Sequence, residues 1–239
     1  MKERILSVLI CGASGRMGLA VRREIEAGRG FAFAGGVDLR PASGIHKPGR
    51  LAELLRSAAV AVDFSAPAAA CACAAACAAA RKPFVTGTTG FSSAQLAALK
   101  KFSRRIPLFV SPNMSPAVNL TFALAGFAAG RLKGFDIYIN EAHHKAKKDA
   151  PSGTALRYAQ YVAAVRGGRR PQITSVRAGD IVGEHTVGYA GPYERVELTH
   201  RAHSRAVFAA GALKAAAWVC GRKPGLYDYS DLLGLKGLL

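Results

Sequence analysis

Seven residues, Gly12-Ala13-Ser14-Gly15-Arg16-Met17-Gly18, set narrow limits on what this chain can fold into. Before them Ile5 to Cys11 is a short apolar run, of the kind a buried parallel strand shows. After them Leu19 to Ala27 reads as a helix. A glycine turn between a strand and a helix predicts a dinucleotide site. Gly12 lets the chain turn tightly, Gly15 lets backbone amides approach a pyrophosphate, and Gly18 allows close helix–strand packing. The helix N-terminus adds partial positive charge. The spacing is GxxGxxG rather than the commoner GxGxxG, so the context carries more weight than the motif.

The pattern continues in alternation. Phe31 to Val37, Ala59 to Phe64, Pro83 to Thr86 and Pro107 to Ser111 read as strands. Between them fall helices at Leu51 to Arg56, at the alanine-rich Ala66 to Ala80, and from a Ser92 or Ser93 cap to Lys101. Strict alternation of this kind predicts an α/β fold with a doubly wound parallel sheet. After Asn113-Met114-Ser115-Pro116 the texture changes. A long apolar helix from about Ala117 to Leu132 precedes strand-like segments at Phe135 to Glu141, Gln172 to Arg177, His185 to Tyr189 and Arg195 to His200. A helix from Gly153 to Val165 interrupts them, and a last helix spans about Ser204 to Cys220. We therefore expect a dinucleotide-binding domain over residues 1–114 plus 206–239, with an α+β domain inserted at 115–205.

Composition excludes several classes. The Met1-Lys2-Glu3-Arg4 start and the apolar run behind it meet a glycine turn instead of a cleavage site, which argues against a secretory leader. No stretch reaches the roughly 20 apolar residues of a spanning helix once the small alanines are discounted. Five cysteines, an odd number, point to a reducing cytoplasm. Their spacing offers no fourth ligand for a metal, so no metal is expected and they read as small buried apolar residues. The formal net charge of +18 is scattered rather than blocked. It suits anionic ligands, and no specific nucleic-acid site is expected.

Further motifs sit at the ends of the predicted strands. Asp38 lies 20 residues after Gly18, where a carboxylate can accept hydrogen bonds from an adenosine ribose and so favours NAD. Arg40 faces the same place and could meet a 2′-phosphate, so both cofactors remain open with a lean to NAD. Gly87-Thr88-Thr89-Gly90 and Ser111-Pro112-Asn113-Met114 follow later strands and are expected to reach the nicotinamide side of one cleft. The segment Glu141-Ala142-His143-His144-Lys145-Ala146-Lys147-Lys148-Asp149-Ala150-Pro151-Ser152-Gly153-Thr154-Ala155 concentrates histidines and lysines before a helix start. If it stays extended, His143, Lys145 and Lys147 share one side. Amides at that helix start, with Thr154, make an anion site beside groups able to move a proton. A dicarboxylate would suit it.

This segment resembles the hallmark of the 4-hydroxy-tetrahydrodipicolinate reductases, also called dihydrodipicolinate reductases. GASGRMG, TGTTGF, RAGDIVGEHT at Arg177 to Thr186 and the ending KPGLYDYSDLL resemble the same family in order. The resemblance implies a Rossmann-like domain with an inserted domain for substrate binding and tetramerisation. It implies a cytoplasmic homotetramer of lysine (diaminopimelate) biosynthesis that uses NADH and/or NADPH. Carried over, Gly12, Ala13, Ser14, Gly15, Arg16 and Met17 would hold the pyrophosphate and Asp38 the ribose. Gly87, Thr88 and Thr89, with Ser111, Pro112, Asn113 and Met114, would line the nicotinamide. His143 would be the acid/base residue and Lys147 the proton donor, while His144, Gly153 and Thr154 would bind substrate carboxylate. Two departures stand out: Leu39 replaces the arginine that often follows the ribose acid, and the loops after Asp38 and around Gly167 to Pro171 are short.

Overall fold

A computed structural model of the chain describes residues 5–236; the Met1 to Arg4 start lies outside them. These residues divide into two compact units, 5–114 with 206–232 and 115–205 with 233–236.

In chain order the first unit runs β1 (Leu6–Cys11), α1 (Arg16–Ala27), β2 (Phe31–Val37), β3 (Ile45–His46), α2 (Leu51–Ser57), β4 (Val60–Asp63), α3 (Pro67–Ala80), β5 (Phe84–Thr86), α4 (Ser93–Phe102) and β6 (Pro107–Val110). The second unit holds α5 (Pro116–Arg131), β7 (Asp136–His143), α6 (Gly153–Val165), β8 (Gln172–Arg177), β9 (Glu184–Ala190) and β10 (Arg195–Arg201). The chain then returns to the first unit with α7 (Ala206–Val219), β11 (Gly225–Tyr227) and α8 (Tyr229–Leu232).

The seven strands of the first unit are all parallel, in the order β11-β6-β5-β4-β1-β2-β3. The order reverses at β1, which pairs with both β2 and β4. In an open α/β sheet a crevice forms at such a point, outside the carboxyl ends of the strands. Residues Val8 to Cys11 and Val60 to Val62 are wholly buried, as apolar runs flanked by helices on both faces should be. Alanines of α3 allow close packing on the sheet, and Cys73 and Cys77 join Cys11 in that core. All five cysteines are free thiols. Burial pushes the Cys77 thiol up, so it stays protonated and behaves as a small apolar group. Ser92 caps α4 with a reciprocal Ser92–Gln95 capping box.

The second sheet is mixed, in the order β10-β9-β7-β8, with β7 and β8 parallel across the α6 crossover. Alternation gives it one buried face. Ile139, Val187 and Tyr189 pack there against Val118, Phe122 and Ala125 of α5 and Tyr158 and Val162 of α6. The Phe122 and Tyr158 rings meet edge to face at 4.6 Å, and Tyr189 donates to the Ala125 carbonyl at 2.7 Å.

The sequence reading missed β3, β11 and α8, and it ended β7 at Glu141. The strand runs on through His143 because both of its neighbours continue the ladder: Ala142 pairs with Val176 and Glu184, and His143 with Arg177.

Candidate active site

In the first unit the turn after β1 is built around two glycines. Gly12 has φ +77°, and a Cβ on it would lie 2.5 Å from the Phe64 carbonyl oxygen. A Cβ on Gly18 would lie 2.2 Å from the Gly12 carbonyl oxygen, so α1 can approach β1 only with glycine there. The N-cap of α1 is Gly15, which offers no side-chain acceptor to the first-turn amides. Those amides, at Arg16 and Met17, precede any intrahelical acceptor, and this suits a pyrophosphate.

Asp38 stands beside the turn. Its carboxylate accepts from the Ser14 amide at 3.1 Å and the Arg40 amide at 3.0 Å, while the Ser14 hydroxyl donates to the Arg40 carbonyl at 2.6 Å. The Arg40 side chain is exposed, with Nε 4.0 Å from Asp38, and Leu39 is 84% exposed. Asp38 and Ser14 thus meet as one acceptor-bearing edge, as a ribose would need.

The residues after β5 hang on an acid the sequence reading did not single out. Asp63, wholly buried at the end of β4, accepts from the Thr86 and Thr88 hydroxyls at 2.7 Å each, and from Ser65. Both threonines are themselves acceptors, Thr88 from the Ser65 amide at 3.0 Å and Thr86 from the Thr88 amide at 3.2 Å. Their hydroxyl hydrogens therefore point at Asp63, which sits as an acceptor-only carboxylate. Burial nevertheless pushes its carboxyl above the usual range, only partly offset by the hydroxyls of Ser65, Thr86 and Thr88. The Ser111–Met114 segment is tied to β5 through the Ser111 amide and the Thr86 carbonyl at 3.1 Å. Tyr229 pins its far end, its one hydroxyl hydrogen shared between the Met114 and Gly211 carbonyls at 2.7 and 2.9 Å.

In the second unit the site extends the buried face of the sheet. Ile139, Glu141 and His143 alternate along β7, and Tyr189, Val187 and His185 along β9, with Glu141 opposite His185. The same rows that fill the core therefore end in a buried Glu141, His143 and His185. Glu141 is held by Arg177 of β8, whose Nη2 donates at 2.8 Å, and by the Ser152 amide at 3.4 Å. Its other oxygen meets His143 Nδ1. Burial opposes the charge on Glu141, but hydrogen bonds from Arg177 and Ser175, with His143 beside it, outweigh burial and hold the carboxyl down at about 2. Burial lowers His143 despite Glu141. Burial, followed by His143, brings His185 down to about 3 and keeps it neutral.

The segment after His143 does not stay extended. It turns, with the Lys147 amide donating to the His144 carbonyl at 3.0 Å, and Lys145 and Lys148 are exposed. The common side expected for His143, Lys145 and Lys147 is therefore replaced by a turn that singles out Lys147. Its ammonium holds both oxygens of Asp149 at 2.8 and 2.9 Å and lies close enough to His143 to disfavour a second positive charge there. Ser152 caps α6 by accepting from Ala155 at 3.2 Å and meets His185 Nε2 at 3.1 Å. Gly153 and Thr154 open that helix, and their amides precede its first acceptors. His144 is half-buried at the start of the turn.

Among the described residues Glu141, His143 and His185 bring ligand-type atoms within 4.8 Å of one another. Arg177, the Ser152 amide and His143 already engage Glu141, so we read the cluster as a hydrogen-bonded proton site. Glu141, Arg177, His185, Asp63 and Tyr229 were not among the expected site residues. Glu141, Arg177, His185 and Tyr229 lay inside quoted motifs, which was the one signal available for them, and Asp63 lay in none.

The family model described as "Dihydrodipicolinate reductase, N-terminus" matches residues 6–114, and "Dihydrodipicolinate reductase, C-terminus" matches residues 117–233. The chain belongs to the dihydrodipicolinate reductase family. The 4-hydroxy-tetrahydrodipicolinate reductase of Thiobacillus denitrificans is 45% identical, over 96% of this chain and 98% of that protein. The enzyme of that name from Aquifex aeolicus is 41% identical, over 95% and 98%. Dipicolinate-bound dihydrodipicolinate reductase from a Paenisporosarcina species has the same fold, with a TM-score of 0.83, 22% identity and coverage of 96% and 99%. Membership in this reductase family, with a Rossmann-like N-terminal part, implies a nicotinamide cofactor. Among the described residues no helix is long and apolar enough to cross a membrane.

Proposed function

We propose that the chain reduces 4-hydroxy-tetrahydrodipicolinate, by way of dihydrodipicolinate, to tetrahydrodipicolinate with NADH and/or NADPH, in the diaminopimelate route to lysine. The observation that carries this reading is the family match along both parts of the chain. A bound reduced nicotinamide nucleotide supplies the hydride, which adds to C4 of the cyclic imine. Gly12 to Met17 would hold its pyrophosphate, Asp38 its ribose, and Gly87 to Thr89 with Ser111 to Met114 its nicotinamide side. We lean to NADH, because Asp38 presents an acceptor and Leu39 brings no cation.

The second unit binds the dicarboxylate and moves the proton. Lys147 attracts the substrate's negative charge and protonates C3, His143 assists as acid/base, and His144, Gly153 and Thr154 hold a carboxylate. A positioned general acid contributes about 10²- to 10⁴-fold. We place the enzyme in the cytoplasm, which its five free thiols favour.

We also propose a homotetramer assembled through the second unit. The outer face of its sheet is polar, with Tyr138 donating to Glu197 at 2.8 Å and the Thr186 and Thr199 hydroxyls sharing a hydrogen bond at 2.9 Å, and β10 forms an edge. An open edge needs covering. Light scattering that finds a monomer at micromolar concentration defeats this assembly.

The function itself is tested by following NADH and NADPH oxidation on enzymatically generated substrate. Turnover that needs that substrate is expected; nucleotide oxidation indifferent to it contradicts the proposal.

A further inference from the structure

We propose that Glu141 and Arg177 are positioning residues that commit His143 to one tautomer, with the hydrogen on Nδ1 and Nε2 left as the proton-exchanging nitrogen. The inference rests on the reading of His143 as a proton-handling residue. It starts from an asymmetry in what surrounds the ring.

Ionised Glu141 is acceptor-only, and one of its oxygens faces Nδ1. Nδ1 must therefore carry the hydrogen, which leaves the lone pair of neutral His143 on Nε2. That nitrogen lies beside Gly183, where a Cβ would come within 3.1 Å and crowd it.

Arg177 supplies the other half of the argument. A carboxylate buried this deeply would take up a proton if alone, and a protonated Glu141 would become a donor toward Nδ1. The guanidinium at 2.8 Å stays charged and prevents this. Arg177 also donates to the Asp149 carbonyl at 2.6 Å. One side chain thus fixes both the charge on Glu141 and the backbone beside Lys147. The register gathers these groups, since His143, two residues along the same face from Glu141, pairs with Arg177 across β7 and β8, and Glu141 pairs with His185 across β7 and β9. His185 shields the back of the ring without competing for its hydrogen, at 5.1 Å between centroids and nearly perpendicular.

The network makes a specific demand on an amide replacement. Gln has one acceptor oxygen, and both Arg177 and the Ser152 amide point at the Oε1 position. In Glu141→Gln the oxygen goes to them and the NH₂ turns toward Nδ1, forcing the hydrogen of His143 onto Nε2.

The test is nitrogen NMR of histidine-labelled protein, read alongside turnover and NADH affinity. Wild type is expected to show neutral His143 with hydrogen on Nδ1. Glu141→Gln is expected to move it to Nε2 and lower kcat by at least about a hundredfold, the lower end of what a positioned acid/base group contributes. NADH affinity should stay unchanged. A wild-type ring carrying its hydrogen on Nε2 overturns the proposal without any variant, so a Glu141→Gln chain that fails to fold does not protect it. An unchanged tautomer in Glu141→Gln overturns it as well. If the tautomer reverses and kcat does not move, the geometry stands but His143 does not handle the proton, which removes the positioning role and isolates the fault in the functional reading.

Discussion

Two buried carboxylates, one in each unit, solve the same physical problem in different ways. Asp63 ends β4 and is surrounded by neutral donors, the hydroxyls of Ser65, Thr86 and Thr88. Glu141 lies on β7 and is met by a guanidinium. Burial wins at Asp63, whose carboxyl is pushed up, and loses at Glu141, which is held at about 2. Hydrogen bonds from charged donors are roughly twice as strong as neutral ones, and that difference is enough to reverse the sign. The comparison separates two uses of a buried acid. A cage of hydroxyls fixes the shape of a loop, here the one proposed to line the nicotinamide. A guanidinium partner preserves a charge, here beside the residue proposed to move a proton.

The sharpest way to break this division is Lys147→Ala. We expect kcat to fall by at least about a hundredfold with nucleotide affinity intact, because a general acid is lost from the second unit only. Lys145→Ala and Lys148→Ala, both at exposed positions, should be mild. Equal effects from all three lysines would reduce the turn to a surface that attracts anions.

A smaller effect is expected at the other acid. Asp63→Asn cannot accept from every hydroxyl that now points at it, so the Thr86–Thr88 loop should loosen. The KM for NADH should rise by about tenfold, near 1.4 kcal/mol, with a lesser change in kcat. Initial-rate kinetics showing a selective loss of kcat would place Asp63 outside the nucleotide site.

Asp38→Ala should raise the KM for NADH more than that for NADPH, since only the former presents a free 2′-hydroxyl to the carboxylate. Equal rises would remove Asp38 as the ribose anchor. A wild-type preference for NADPH beyond about tenfold, roughly 1.4 kcal/mol, would hand that role to Arg40 or another cation.

The least effect, and the most direct reading of the two environments, is in acid stability. The folded value of Glu141 is depressed, so its contribution is present above the unfolded carboxylate range and is lost as pH falls toward about 2. The folded value of Asp63 is raised, so its contribution is full at low pH and is lost as pH rises through that value. Glu141→Gln should therefore flatten the acid decline of the urea midpoint between about pH 5 and about pH 2, and Asp63→Asn should steepen it. Parallel curves for wild type and both variants would deny the contrast.

Much of this was legible in the chain because the informative residues are neighbours. Gly12 to Gly18 announce a turn between a strand and a helix, and the segment from His143 to Thr154 gathers its side chains within one loop. The alternation that predicts a doubly wound sheet is likewise local. What stayed hidden depends on register between distant segments. Arg177 lies 36 residues from Glu141, Ser152 lies 33 from His185, and Tyr229 lies 115 from Met114. No periodicity links such pairs until the strands are placed side by side. Strand β3 has two residues and β11 has three, too few for any alternation to appear. The path from His144 to Lys147 stayed open for a related reason. The Lys145 amide is drawn aside by the Gly179 carbonyl at 3.1 Å, from a segment far along the chain.

The proposed division of labour gives the nucleotide to the first unit and the proton to the second. The most direct test is to titrate NADH calorimetrically into wild type and into the His143→Ala, Lys147→Ala double variant, and to measure turnover of both on enzymatically generated substrate. Equal NADH dissociation constants are expected, with kcat reduced by at least about a hundredfold in the double variant. A double variant that loses NADH affinity in step with turnover, or one that still turns over at close to the wild-type rate, would contradict it.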